Sequence, residues 1–243
     1  FIQYTTPLAI LVFYIFLIKK QKKYYLNIFL LLSIISTTFL ISATTASRGL
    51  IFILFLQFIS GYIFYKDLIP RSKKIRFIFI SIILLYAFSI YTSSVTVSRF
   101  GVQGQYESLV YYFGHSMLVF NNGLTDLIKN FGNGAFFFDW YLNFFGFEPF
   151  NVAKSGANVG TQFYTFVGAL YFDFGPFYTF VLALLIPVIF TKITRKKHIS
   201  LADLYLLFMY LNHLLLGVLV IGRGYAFPWT MTILIYYFLK FKK

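Results

Sequence analysis

Apolar runs long enough to cross a bilayer, which takes about 20 residues as a helix, recur along this chain and end repeatedly on clusters of Lys and Arg. This repetition leaves few folds open. Inside hydrocarbon every backbone N–H and C=O must find a partner within the protein, so a spanning chain is either a helical bundle or a closed barrel. The runs here are continuous and do not alternate polar with apolar, which argues for helices over barrel strands. With 59% of residues hydrophobic, 12% charged and a mean hydropathy of +0.77, the composition lies outside that of water-soluble domains. The expected fold is all-α, a polytopic transmembrane bundle forming a single domain over residues 1–243.

A formal net charge of +14 raises the question of nucleic acid. The cations gather at the ends of apolar runs and form no basic recognition pattern, so no nucleic-acid partner is expected. The chain has no cysteine, hence neither a disulfide framework nor a thiolate metal site. Its three histidines lack metal-ligand spacing, and phosphate-loop, dinucleotide-binding and nucleophile-elbow patterns do not occur. No cofactor or metal is expected. The first run lacks the flanks and cleavage site of a signal peptide and opens on Phe1, so further spans N-terminal to it are expected to be missing.

The basic clusters orient the runs. Residues 7–18 complete a first span that meets Lys19, Lys20, Lys22 and Lys23, which the positive-inside rule places in the cytoplasm. A second span, 24–44, returns outward, its outer half carrying Ser36, Thr37, Thr38, Ser42, Thr44 and Thr45. After a tight outer connection at Ser47–Gly49, a third span (50–65) leads to the basic loop 66–76, with Pro70 stopping the helix. The fourth span, 77–95, goes out again. Beyond a long loop, the next span runs in to Lys192, Arg195, Lys196 and Lys197, with a break expected at Gly175–Pro176. Ser200 and Asp203 read as a helix-start cap on a span over 201–221. Gly222–Gly224 lies outside, and a last span, 225–239, ends on Lys240, Lys242 and Lys243. Seven spans result, with 16 of the 21 cations inside.

The long outer loop, about 96–172, is the polar exception. The stretch from Arg99 to Gly175 holds 11 of the 16 glycines and five of the seven acids. Leu109, Tyr112, Phe113, Met117, Phe120, Leu124, Leu127, Ile128 and Phe131 recur at helical spacing and predict an amphipathic helix on the membrane surface. Residues 136–147 form a second, aromatic interfacial piece. Together they are expected to cover a cavity.

Arg48, Arg99 and Arg223 each stand at the outer end of a span, where cations are disfavoured. A guanidinium grips phosphate oxygens in bidentate fashion, so the three are candidates for holding a lipid-linked diphosphate. The simpler alternative is that each snorkels to lipid phosphate or pairs with a nearby acid. Glu107, Tyr111 and His115 share one face of the predicted surface helix, and Glu107 or His115 is a candidate general base. That face is equally the wet side of an amphipathic helix. Asp173, at the mouth of the loop, reads as a catalytic acid–base group, an arginine partner or a solvated rim residue. Asn212 and His213 lie within a span, where polar groups are costly and often functional, but an interhelical hydrogen bond explains them more cheaply.

The Arg48–Gly49 hairpin after a Ser/Thr-rich span, the segment YYFGHSMLVFNNGL (Tyr111 to Leu124) and NVGTQFYTFVGALYFDFG (Asn158 to Gly175) together resemble the Wzy-type repeat-unit polymerases of bacterial O-antigen and capsule assembly. The resemblance covers most of the chain from about residue 30, on short and degenerate motifs. It implies a GT-C-like membrane glycosyltransferase in the bacterial cytoplasmic membrane, with its active face outward. Such an enzyme transfers a growing glycan from undecaprenyl diphosphate onto a newly flipped repeat unit. By position, Arg48, Arg99 and Arg223 match the outward arginines that hold the diphosphates. Expected partners are undecaprenyl-diphosphate-linked glycans, membrane lipids, a chain-length regulator and a flippase. The arginine followed after ten residues by glycine, found in outer loops of some members, does not occur; Ile59, Val110 and Leu234 stand there.

The expected chemistry is metal-independent glycosyl transfer, with arginines stabilising charge on the leaving diphosphate and His115 or a loop acid taking the acceptor's proton. Two alternatives are an O-antigen ligase, which uses the same donor, and, from another class, a flippase or exporter of lipid-linked sugar. The last predicts ionisable pairs at mid-membrane on inverted repeats, and the sequence shows neither.

Overall fold

The computed structural model describes residues 2–18, 24–45, 48–71, 73–75, 78, 79, 82, 83, 86, 90, 131–147, 165–217 and 224–241. Among these, all regular structure is α-helical. The helices are α1 (Ile2–Ile18), α2 (Tyr24–Thr45), α3 (Arg48–Tyr65), α4 (Asp139–Phe144), α5 (Phe166–Thr194), α6 (Leu201–Gly217) and α7 (Ala226–Phe241). The scattered described residues of 71–90 are helical as well. Among the described residues two helices are long and apolar enough to cross a membrane, with windows at Tyr25–Ser42 and Phe166–Thr194. Thr5–Ile18, Leu50–Tyr65 and Leu201–Gly217 are shorter apolar helices. The all-α expectation therefore holds.

The chain divides into two compact units, Phe1–Tyr112 and Phe113–Lys243. In the first, α1, α2 and α3 pack on one another around Ile10, Leu11, Tyr14, Ile34 and Leu54, all buried. Tyr14 sets the spacing. Its hydroxyl donates to the carbonyl of Phe58 at 2.7 Å, and its ring stacks on Tyr65 with centroids 5.7 Å apart. A side chain at Gly61 would overlap that ring, so glycine lets α3 approach α1 this closely. Lys73 donates to the carbonyl of Leu17 at 3.1 Å, satisfying one of the orphan carbonyls at the end of α1. The end of α1 and the basic segment around Lys73 thus lie together.

In the second unit α6 packs on both α5 and α7. Phe190 of α5 stacks on Tyr210 of α6 with centroids 3.8 Å apart. At one end of this trio Lys196 pairs with Asp203 at 2.7 Å, and the Tyr236 hydroxyl lies 3.5 Å from the same oxygen. The bond to Asp203 holds the Lys196 ammonium above its ordinary range. Ser200 and Asp203 cap α6 reciprocally: the Ser200 N–H and hydroxyl donate to the carboxylate, while the Asp203 N–H donates back to the hydroxyl at 3.1 Å.

α5 begins at Phe166, where the Thr165 hydroxyl accepts the Gly168 N–H at 3.1 Å and starts the helix. The expected break is present. Gly175 has φ 74° and ψ 177° within α5, immediately before Pro176. Apolar side chains face outward along the helices, Phe177 and Phe180 on α5 and Phe238 and Phe241 on α7 among them. Exposed apolar surface of this extent is what lipid-facing helices present and what soluble monomers avoid.

Candidate functional site

The described part of the long loop closes over the end of the second unit opposite Lys196. Its centre is Asp173, about two turns into α5 and 0% exposed. Both carboxylate oxygens are engaged by backbone. Phe136 donates its N–H to Oδ1 at 3.1 Å and Phe137 donates to Oδ2 at 2.7 Å. The carbonyls of Phe172 and Asp173 accept in turn from Gly132 at 3.1 Å and Asn133 at 2.7 Å. Residues 132–137 are thereby docked on α5 through four hydrogen bonds. Full burial overturns the reading of Asp173 as a solvated rim acid, since the turn folded over it shuts water out.

The same turn holds the start of α7. The Gly224 N–H donates to the carbonyl of Phe136 and the Ala226 N–H to that of Phe137, each at 3.0 Å. Phe136 and Phe137 therefore carry Asp173 on their amides and the 224–226 segment on their carbonyls. Two glycines make the fit possible. Gly175 and Gly224 both have positive φ, at 74° and 72°, where a side chain is strained. An added Cβ would also come within 3.2 Å of the Phe131 ring at Gly175 and of the Trp140 Cβ at Gly224.

Aromatic packing fills the remainder. Phe136 meets Phe172 edge-on at 5.5 Å, and Trp140 lies 4.2 Å from Phe227. Beyond them Phe138, Trp140, Phe144, Phe145 and Phe147 are exposed around α4. These exposed rings fall within the aromatic stretch 136–147. Beneath the turn, His213 of α6 packs against Tyr225 at 5.3 Å and Trp229 at 4.5 Å. Its Nε2 and the Tyr225 hydroxyl are enclosed without hydrogen-bond partners. The interhelical hydrogen bond expected of His213 is replaced by ring contacts, and Asn212 donates to Phe208 within its own helix at 3.0 Å.

Of the six residues proposed from sequence for catalysis or diphosphate binding, Asp173 alone has a described side chain. Arg48 opens α3, with only its backbone described. Arg99, Glu107, His115 and Arg223 lie outside the described residues, as do the segment 158–164 and every residue of the predicted surface helix from Leu109 to Phe131 except Phe131 itself. Arg223 is nonetheless joined by one peptide bond to Gly224, itself bonded to the Asp173-bound turn. Sequence reasoning missed Thr165, Tyr225 and Trp229. Thr165, two residues before the Val167–Gly168 pair, carried a readable cap signal; the two rings carried none. Among the described residues no group of His, Asp and Glu has the makings of a metal site. No family model, curated protein or solved structure matches the chain.

Proposed function

We propose that this chain is a membrane glycosyltransferase of the Wzy type, joining undecaprenyl-diphosphate-linked oligosaccharide repeat units into O-antigen or capsular polysaccharide. It does so at the outer face of the cytoplasmic membrane, through seven spans alternating in direction. The observation that carries the reading is the junction at Asp173, where the polar loop and the chain entering α7 are fastened to one end of the α5–α6–α7 trio. Gly224 is bonded at that junction, and Arg223 precedes it in the chain. An arginine at the outer end of a span is suited to a diphosphate, whose developing charge it stabilises as the glycosyl bond breaks.

Arg48 and Arg99 take the same role from their places at outer span ends. Asp173, enclosed and doubly bonded to backbone, is assigned to positioning, and His115 or Glu107 accepts the proton of the attacking hydroxyl. Transfer forms one glycosidic bond to the incoming repeat unit and releases undecaprenyl diphosphate. A strain lacking the gene, complemented with wild type, Arg99→Ala or Arg223→Ala, tests this through its glycan chain-length profile. Single repeat units from both variants at normal membrane levels are expected. A full ladder from both would overturn the assignment, loss of all capped core would indicate a ligase, and donor trapped on the cytoplasmic face would indicate a flippase.

A further inference from the structure

We propose that α1, α2 and α3 form a built site for a compact hydrogen-bond donor, and that water occupies it. The site lies within the first unit and is independent of the glycosyl-transfer reading. Thr6 of α1, Thr37 and Thr38 of α2 and Gln57 of α3 line a cavity with about 30 Å³ open to the centre of a water molecule; four Leu and Ile side chains complete its wall. One water needs roughly 10–15 Å³ on that measure together with two to four polar partners. Both conditions are met, and a sugar ring or a phosphate is far too large.

The orientation of the lining groups selects the ligand. Thr38 spends its proton on the carbonyl of Ile34 at 2.9 Å, and Thr37 on Ser33 at 2.7 Å or Ile34 at 3.1 Å. Their oxygens are left as acceptors. Gln57 is 6% exposed, and its Oε1 is enclosed without any hydrogen-bond partner. In an apolar bundle an orphan amide oxygen is costly, so it calls for a donor in the cavity. Water donates to Gln57 and to a threonine at once and ties α3 to α2. Turning the Gln57 amide end for end would place a donor at the same point, which water satisfies equally well and a bare cation does not.

The test is the melting temperature of the purified full chain in detergent for wild type, Gln57→Met, Thr38→Val and the double variant. Measurements are made in NaCl, KCl and choline chloride at equal ionic strength. Each single variant is expected to melt roughly 2–8 °C lower, the double no lower than the weaker single, and wild type identically in the three salts. Gln57→Met melting at or above wild type would show a dry void that an apolar side chain fills better, and additive losses would show that no ligand is shared. A rise specific to Na⁺ that Gln57→Met abolishes would replace the water with a cation. If Gln57→Met does not accumulate, Thr38→Ser, which keeps the oxygen, is expected to melt as wild type while Thr38→Val melts lower. Equal losses in those two would overturn the proposal.

Discussion

Phe137 donates its backbone N–H to the Asp173 carboxylate at 2.7 Å, while its carbonyl accepts from Ala226. One residue of the loop thus joins the buried acid of α5 to the first residue of α7. Asp173→Asn keeps the shape but offers one acceptor oxygen in place of two and turns an NH₂ toward a backbone donor. Leaving one buried N–H unpaired costs about 1–3 kcal/mol, so the variant should melt several degrees below wild type in detergent. Asp173→Ala orphans both amides and should melt lower still. An unchanged melting temperature for Asp173→Ala would mean that aromatic packing, such as Phe136 on Phe172, holds the turn by itself.

The apolar helices were legible because the sequence displays their long uncharged runs openly, and two of those described are long and apolar enough to cross a membrane. The α6 cap was legible for a similar reason: Ser200 and Asp203 are chemically suited to a helix start and stand at the right spacing. Gly175–Pro176 announced the break in α5. The junction at Asp173 was not legible, since its partners are the main-chain amides of Phe136 and Phe137, which any residues at those positions would supply. His213 illustrates a different limit. Its polarity indicated a hydrogen bond, but its neighbours Tyr225 and Trp229 come from the turn before α7 and from α7 itself, and nothing local to α6 foretells their rings.

The Ser200–Asp203 cap carries its own expectation. Ser200→Ala removes the hydroxyl that accepts the Asp203 N–H and donates to its carboxylate. Loss of such a cap costs about 0.5–2 kcal/mol. A melting curve should register it, whereas Lys196→Ala, which removes a half-exposed partner, should change stability less because solvent screens the pair. A larger loss from Lys196→Ala would make the ion pair, and not the cap, the chief restraint on this end of α6.

Gly61 and Tyr14 form a matched pair across α1 and α3. Gly61→Ala drives a methyl into the Tyr14 ring, and overpacking of this kind costs about 1–3 kcal/mol. The yield of monodisperse protein should fall. Adding Tyr14→Leu removes the ring and should recover part of the loss, although the hydrogen bond to Phe58 goes with it. Failure of the second substitution to help would locate the strain in the α3 backbone instead of in the ring contact.

Gly224 offers a way to separate the position of Arg223 from its charge. At φ 72° and with Trp140 in contact range of an added Cβ, Gly224→Ala strains the backbone where it meets Phe136 and shifts the residue before it. The proposed polymerase requires that shift to matter. Gly224→Ala should shorten the glycan ladder while membrane levels stay near wild type, as Arg223→Ala should, and Arg223→Lys should fall between because a lysine keeps charge without the bidentate fork. Pairing Gly224→Ala with Trp140→Ala opens the space but leaves φ positive, so only partial recovery of chain length is expected. A normal ladder from Gly224→Ala beside a lost one from Arg223→Ala would show that the diphosphate is held by charge alone, with no demand on how the 224–226 segment is fastened.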